Sequence, residues 1–317
     1  MSRTVTITGG SGFLGQLLRQ GLEAEGWRVD VYDRFRGPLV DLMRRRYLAS
    51  ATSSSARRAA RAIRTVQSRT EPALIRARVV RPRDDDILAP RDQLAARFAG
   101  SDAVIHLAGI PHPHWPGASE KDFVRMNYDA AVNVFEAARD AGVPTFVFAS
   151  SAQVYRINEP VRLDRLPIVE SSYLPLPAEG QTTYGFLKAA FERYLAGACM
   201  SGSTQAVALR LEFPGFRSTE PSNLYVSTSV ENLLAGFSCA MRPPGDLGFG
   251  AFNLADAEVD PAIVDIQAYV RARWPYVQNH TVGNQCLLST EKAQHILAYR
   301  PVRKGRYLDA SLVWAIA

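Results

Sequence analysis

Tyr184 and Lys188 stand four residues apart in T-T-Y-G-F-L-K-A-A-F-E (182–192), a spacing that puts both side chains on one face of a helix. A free tyrosine titrates near pH ~10, so service as a base near neutrality requires lowering its pKa by roughly 3 units, on the order of 4 kcal/mol. A neighbouring ammonium has the sign that does this. Tyr-x-x-x-Lys also arises as a surface pair on ordinary amphipathic helices, and it acquires meaning only in company. That company is F-A-S-S-A-Q-V-Y-R (148–156), which ends an apolar run on the hydroxyls of Ser150 and Ser151, and a glycine-rich turn near the N-terminus.

The turn reads T-G-G-S-G-F-L-G (8–15). Gly9 would permit the sharp bend, Gly12 would let the backbone approach a pyrophosphate, and Gly15 would let helix and strand pack closely, with phosphates on the helix N-terminus. Asp33 closes the next strand about 20 residues on, where an acid accepts hydrogen bonds from the adenosine ribose and repels a 2′-phosphate. That favours NAD. Arg34 and Arg36 could instead hold the phosphate, which leaves NADP open.

The elements that must position these residues follow from periodicity. Residues 5–8 form a short apolar run; Phe13, Leu14, Leu17, Leu18 and Leu22 recur at helical spacing up to Gly26; residues 28–32 form the next strand. Strands predicted at 103–107, 145–149 and 206–211, with an amphipathic helix over 123–141, continue a βαβ alternation. The fold class is therefore α/β, a Rossmann-type doubly wound parallel sheet. After Leu211 prolines punctuate short elements, which predicts a smaller, irregular C-terminal substrate lobe: residues 1–211 as the dinucleotide-binding domain, 212–317 mainly as the lobe, part of it returning to the sheet.

The chain is long enough for one large domain or two smaller ones, and at 47% hydrophobic and 21% charged residues it is no disordered polymer. Its +6 charge is unevenly placed: between Arg34 and Arg83 fourteen arginines face only Asp41 and Glu71, so the remainder is net acidic. The basicity belongs to an insertion at about 35–75, with a helix predicted over 39–48 and a strand over 73–80. Its core lacks the interleaved aromatics that stack on bases, and no nucleic-acid partner is expected. A solvated insertion and a contact with an anionic substrate or membrane surface are both open readings. No run approaches about 18 apolar residues and none precedes residue 4 as a leader, so a cytoplasmic protein without a membrane partner is expected. Cys199, Cys239 and Cys286 have no paired or metal-binding spacing and read as packing thiols.

With the loop, the serines and the Tyr–Lys pair together, the chain resembles an extended short-chain dehydrogenase/reductase of the NAD-dependent epimerase/dehydratase superfamily. The resemblance also rests on Asp86-Ile87 before a helix, D-A-V-I-H-L-A-G (102–109), N-Y-D-A-A-V-N-V-F-E-A-A (127–138) and Glu192. It implies that Ser151 hydrogen-bonds the reacting oxygen, Tyr184 passes its proton, and Lys188 binds the nicotinamide ribose and tunes Tyr184. It further implies that Gly9, Gly12, Phe13, Leu14, Gly15, Asp33, Arg34, Asp86, Ile87, Leu107, Ala108 and Gly109 line the dinucleotide, with hydride moving between a substrate carbon and the nicotinamide. In members that dehydrate or decarboxylate, one or two acids follow the position of Ser151. Here Ala152 and Gln153 follow, neither an acid nor a base at neutral pH, so hydride chemistry is kept and elimination is not.

The reading is thus an NAD(P)-dependent oxidoreductase interconverting a secondary alcohol and a ketone on a small polar metabolite. A sugar or nucleotide-sugar epimerase uses the same residues, and a catalytically inactive nucleotide sensor keeps only the fold. Where epimerases of UDP-sugars carry an asparagine on the diphosphate, this chain has Phe213, and Arg156 stands where glycine is usual. His112 and His114, in H-P-H-W at the expected mouth of the site, could touch substrate, sit in a plain loop or bind a metal; no metal is expected, because no acid or cysteine partner accompanies them. Gln153 and Phe213 are the other substrate candidates. His106 reads as a hydrogen-bonded core histidine, and Asn127 and Asn133 as residues that hold loop geometry. The resemblance also implies a homodimer through the outer helix faces.

Overall fold

The computed structural model describes residues 3–33, 35–36, 81–82, 86–111, 118–156, 163–172, 182–200, 203–303 and 305–308. Most of the basic insertion, with the helix and strand predicted in it, lies outside the described residues, as do Arg34, His112 and His114.

The chain begins with β1 (Thr4–Thr8), α1 (Phe13–Ala24) and β2 (Arg28–Tyr32), followed by two short strands, β3 (Phe35–Arg36) and β4 (Arg81–Pro82). β3 and β4 pair antiparallel, Phe35 opposite Pro82, so the two ends of the basic insertion lie side by side. Next come α2 (Arg91–Phe98), β5 (Ala103–His106), α3 (Glu120–Val124), a π-helical turn (Arg125–Asp129), α4 (Ala130–Asp140), β6 (Thr145–Ser151) and a 3₁₀ turn (Ala152–Tyr155). The C-terminal part holds β7 (Arg165–Leu166), α5 (Thr183–Ala198), β8 (Gln205–Leu211), α6 (Val230–Ala240), β9 (Phe249–Leu254), α7 (Ile266–Arg273), β10 (Gln278–Asn279) and α8 (Glu291–Ile296).

Six strands form one parallel sheet in the order β2-β1-β5-β6-β8-β9. Strand order reverses between β1 and β5, and the crevice at their carboxyl ends is where such sheets bind ligands. The strands are apolar on both faces because helices cover both. Successive side chains alternate between two cores: Val5, Ile7, Ile105, Val147, Val207 and Leu209 pack with Leu18 and Leu22 of α1 and Leu233 and Phe237 of α6. Val104, Phe146, Phe148, Ala206 and Ala208 pack with Phe98 of α2, Phe135 of α4 and Phe191 of α5 on the opposite face. A third cluster, including Leu166, Ile168, Val226, Ile266, Val270 and Leu287, holds the C-terminal elements around the β7–β10 pair.

Two local differences from the sequence reading matter for the site. The helix predicted over 123–141 starts at Glu120, because Ser119 and Asp122 form a reciprocal capping box, and the π-helical turn within it buries Asn127. β6 runs two residues past its predicted end, so Ser150 and Ser151 are strand residues whose side chains leave opposite faces of the sheet. No helix among the described residues is long and apolar enough to cross a membrane.

Candidate active site

The glycine turn is held from three directions. Gly9 has φ +71°, and a Cβ there would lie 2.7 Å from the Ala108 nitrogen, so the turn after β1 and the end of β5 touch only because residue 9 lacks a side chain. Gly12 is the N-cap of α1, with no side chain capping that helix. The Ser11 amide donates to Asp33 Oδ2 at 2.8 Å, which ties the turn to the end of β2. Ser11 Oγ is buried without a hydrogen-bond partner among the described residues. Phe13 packs against Phe216 with ring centroids 4.9 Å apart and planes tilted by 35°, Leu14 joins the adjoining core, and a Cβ on Gly15 would meet Gly10 Cα at 2.4 Å.

The other residues of the dinucleotide side come to the same crevice. The Leu107 amide donates to the Thr8 carbonyl at 3.1 Å. Gly109, with φ +146°, leads to Ile110, whose amide donates to Asn127 Oδ1 at 2.7 Å while Asn127 Nδ2 donates back to the Ile110 carbonyl at 3.0 Å. Asn133 donates to the Ile87 and Ala89 carbonyls at 3.0 and 2.9 Å. Both asparagines therefore hold loop backbone. Asp86 caps its own turn by accepting from the Leu88 amide at 3.0 Å, and its carbonyl accepts from Tyr32 Oη. His106 is buried, bonded through Nδ1 to Thr8 Oγ1 at 2.7 Å. Burial, then the Lys188 charge, hold its pKa down to about 3, so the ring is a neutral core histidine.

On the reaction side the two serines divide their work. Ser150 Oγ donates to Glu192 Oε1 at 2.6 Å, part of a buried network beneath the site. Ser151 Oγ accepts from the Gln153 amide at 3.1 Å, and its hydroxyl acts on the Tyr184 phenol, favouring the ionised form. α5 brings Tyr184 there because Gly185 lets it close on the 3₁₀ turn: a Cβ on residue 185 would stand 2.6 Å from the Gln153 carbonyl oxygen. Thr182 caps the helix by accepting from the Gly185 amide at 3.1 Å. One turn on, Lys188 Nζ donates to the Ala149 carbonyl at 2.7 Å and lies 4.5 Å over the Phe148 ring and 5.5 Å from the Tyr184 ring centroid.

The electrostatics differ from the expected lowering of Tyr184. Burial, and then Glu212, push its phenol well above the ordinary tyrosine range, with Ser151 opposing. Burial pushes the Lys188 ammonium down to about 7, with Glu192 opposing. The Glu212 carboxyl is pushed up to about 8 by burial, with Gln153 opposing. Tyr184, Lys188 and Ser151 are thus brought together, but the protein by itself makes Tyr184 a proton donor.

Four features escaped the sequence reading. Glu212 carries a usable signal in the sequence, an acid directly after a buried strand that ends beside Ser151. Phe213 itself has φ +44°, a left-handed backbone that asparagine adopts more readily than an aromatic residue. Arg156 also takes this conformation, φ +60°, which accounts for glycine being usual there. Beneath the site, Arg210 Nη2 bonds Glu192 Oε2 at 2.6 Å, Arg210 Nη1 bonds Tyr155 Oη at 2.5 Å, and Tyr155 Oη donates to Asn253 Oδ1 at 2.7 Å.

The model of the NAD dependent epimerase/dehydratase family matches residues 5–215, well over half of the chain. The chain belongs to this family. Among curated proteins, it is 38% identical over 116 residues to the NAD-dependent glucose-6-phosphate dehydrogenase of Haloferax volcanii, covering 32% of this chain and 40% of that protein. It is 27% identical over 214 residues to a UDP-glucose 4-epimerase of Schizosaccharomyces pombe, covering 67% of this chain and 52% of that one. The chain thus spans about half or less of the length of these relatives. A solved UDP-glucose-4-epimerase from Stenotrophomonas maltophila, with bound NAD and formylated UDP-arabinopyranose, has the same fold with a TM-score of 0.63 at 18% identity, over 95% of this chain and 94% of that one.

Proposed function

We propose that this family member interconverts a secondary alcohol and a ketone on a sugar or similarly polyhydroxylated metabolite, with NAD as the hydride carrier. The reading rests on one arrangement: the Ser151 hydroxyl acting on the Tyr184 phenol at the carboxyl end of the sheet, Lys188 Nζ 5.5 Å from the Tyr184 ring centroid, and no acid at 152 or 153.

The residues around the glycine turn fit a dinucleotide. An α1 N-terminus without a side-chain cap and the buried, unpartnered Ser11 hydroxyl suit a pyrophosphate. Asp33, drawn to the turn by the Ser11 amide, suits the ribose hydroxyls. When bound, the nicotinamide would supply or accept the hydride. Ser151 holds the substrate oxygen, and Tyr184 exchanges a proton with it. A phenol raised by burial stays protonated at neutral pH and serves directly as donor in ketone reduction. For oxidation, the positive charges of Lys188 and the oxidised ring would have to lower it.

The sugar class draws on relatives that are named as a sugar-phosphate dehydrogenase and a sugar epimerase. Phe213, in place of an asparagine on the diphosphate, supports a sugar that carries no nucleotide. A second reading is epimerisation, in which the hydride returns to the other face; it is favoured by the 214-residue match to an epimerase. A homodimer through α4 and α5 belongs to the same proposal and is read from the mass by light scattering.

The test is turnover of aldoses, sugar phosphates, uronates and UDP-sugars with NAD, followed by nicotinamide absorbance and by product configuration. Tyr184→Phe is expected to lower kcat by about 10²–10⁴ while NAD still binds. Equal turnover by the variant would contradict the assignment, and inversion without net reduction of NAD would select the epimerase.

A further inference from the structure

Glu212 directly follows β8, and β8 runs beside β6 with Leu211 opposite Ser151. Its carboxyl therefore enters the site from the neighbouring strand, beside the tip of β6 where Ala152 and Gln153 bring no acid. It is 7% exposed. Gln153 Nε2 is 3.5 and 3.4 Å from its two oxygens, at the long end of what a hydrogen bond spans. The titratable group set against it is Tyr184 of α5, whose phenol it raises. Among the described residues no lysine, arginine or histidine forms an ion pair with it. A buried carboxyl with no cation is destabilising wherever it ionises, so an ionised Glu212 calls for a positive charge that none of the described residues supplies as an ion pair.

We propose that Glu212 is the counter-charge of the oxidised nicotinamide, ionising when NAD⁺ binds and making the site prefer NAD⁺ over NADH. This rests on the reading of the site as an NAD-dependent hydride-transfer centre. Hydride transfer needs the nicotinamide and the substrate carbon within about 3–3.5 Å, and Ser151 and Tyr184 fix the substrate oxygen. The ring must then lie against the group that Glu212 already acts on. The oxidised ring carries a positive charge and the reduced ring none. In a buried pocket that charge favours the carboxylate: the carboxyl O–H breaks, the proton leaves to solvent, and the carboxylate stays beside the ring. Without the ring, burial keeps Glu212 protonated up to about pH 8. Proton release and preference for NAD⁺ are then two readings of one coupling. The coupling favours the hydride leaving NADH for a substrate carbonyl, the direction in which a protonated Tyr184 acts as donor.

The experiment is calorimetric titration of the full-length protein with NAD⁺ and with NADH at pH 7, in buffers of different ionisation enthalpy, for wild type and Glu212→Gln. Lys188, pushed down to about 7, also sheds a proton when a cation arrives, so the count is read as the difference between the two proteins. Wild type is expected to release up to one proton more per NAD⁺ than the variant, with no such difference for NADH. The ratio of the NADH to the NAD⁺ dissociation constant is expected to fall about tenfold or more in the variant, the factor that accompanies one unit of pKa. Equal proton counts and an unchanged ratio would overturn the proposal. Wild type binding neither nucleotide would instead overturn the NAD reading beneath it. Should Glu212→Gln fail to fold, infrared difference spectroscopy on wild type decides: loss of a protonated-carboxyl band on adding NAD⁺ but not NADH supports the proposal, and its persistence overturns it.

Discussion

A methyl group on residue 185 would stand 2.6 Å from the Gln153 carbonyl oxygen, so Gly185→Ala has to push α5 away from the turn that follows Ser151. Tyr184 moves with the helix. A displacement of this kind in a positioned proton donor is expected to lower kcat at least about tenfold, with NAD affinity nearly unchanged because the glycine turn lies elsewhere; steady-state kinetics beside a binding isotherm separates the two. Glu212 has a consequence for stability as well. Its pKa lies near 8 in the folded chain against 4.5 ordinarily, so between those values the folded state holds a proton that the unfolded state has released. Its contribution is fully present below pH ~4.5 and is lost as pH rises toward 8, by an amount on the order of 5 kcal/mol. Glu212→Gln should be more stable than wild type at pH 8.5 and no more stable at pH 4.5, as denaturant melts at the two pH values would show.

At the scale of elements, the site stands on a buried ion pair that joins α5 to β8. Arg210 and Glu192 are each 4% exposed in their side chains, and Ser150, Tyr155 and Asn253 extend the network to β6, the 3₁₀ turn and β9. Removing one charge from such a pair leaves the other buried and alone. Glu192→Gln is expected to cost about 3 kcal/mol by urea denaturation, where an exposed pair such as Arg303–Glu258 is worth well under about 1 kcal/mol. Which parts of this were legible in the sequence follows from how local they are. The strand at 4–8, the glycine turn and the helix behind it are written in contiguous residues, as is the Tyr184–Lys188 spacing. The division of labour between Ser150 and Ser151 needed the true end of β6. The roles of Gly185 and Glu212 exist only once β6, β8 and α5 meet, and no local pattern encodes the register that sets Leu211 beside Ser151.

Over the whole molecule, one parallel sheet with a core on each face brings the glycine turn after β1 and the serines that end β6 to the same carboxyl end of the sheet. The C-terminal segment contributes β9 to that sheet and a separate cluster around β7 and β10. The excess positive charge of the sequence is confined to a segment whose two ends pair as β3 and β4. The central claim is that the crevice at the carboxyl end of the sheet holds NAD for chemistry at Ser151 and Tyr184. The most direct measurement is to purify the protein without added nucleotide, denature a portion and identify what is released, and titrate the rest with NAD. One NAD per chain is expected across the two routes together; near-stoichiometric release would point to the epimerase and reversible uptake by empty protein to the dehydrogenase or reductase. A protein that releases no nucleotide and takes up neither NAD nor NADP would contradict the account at its base.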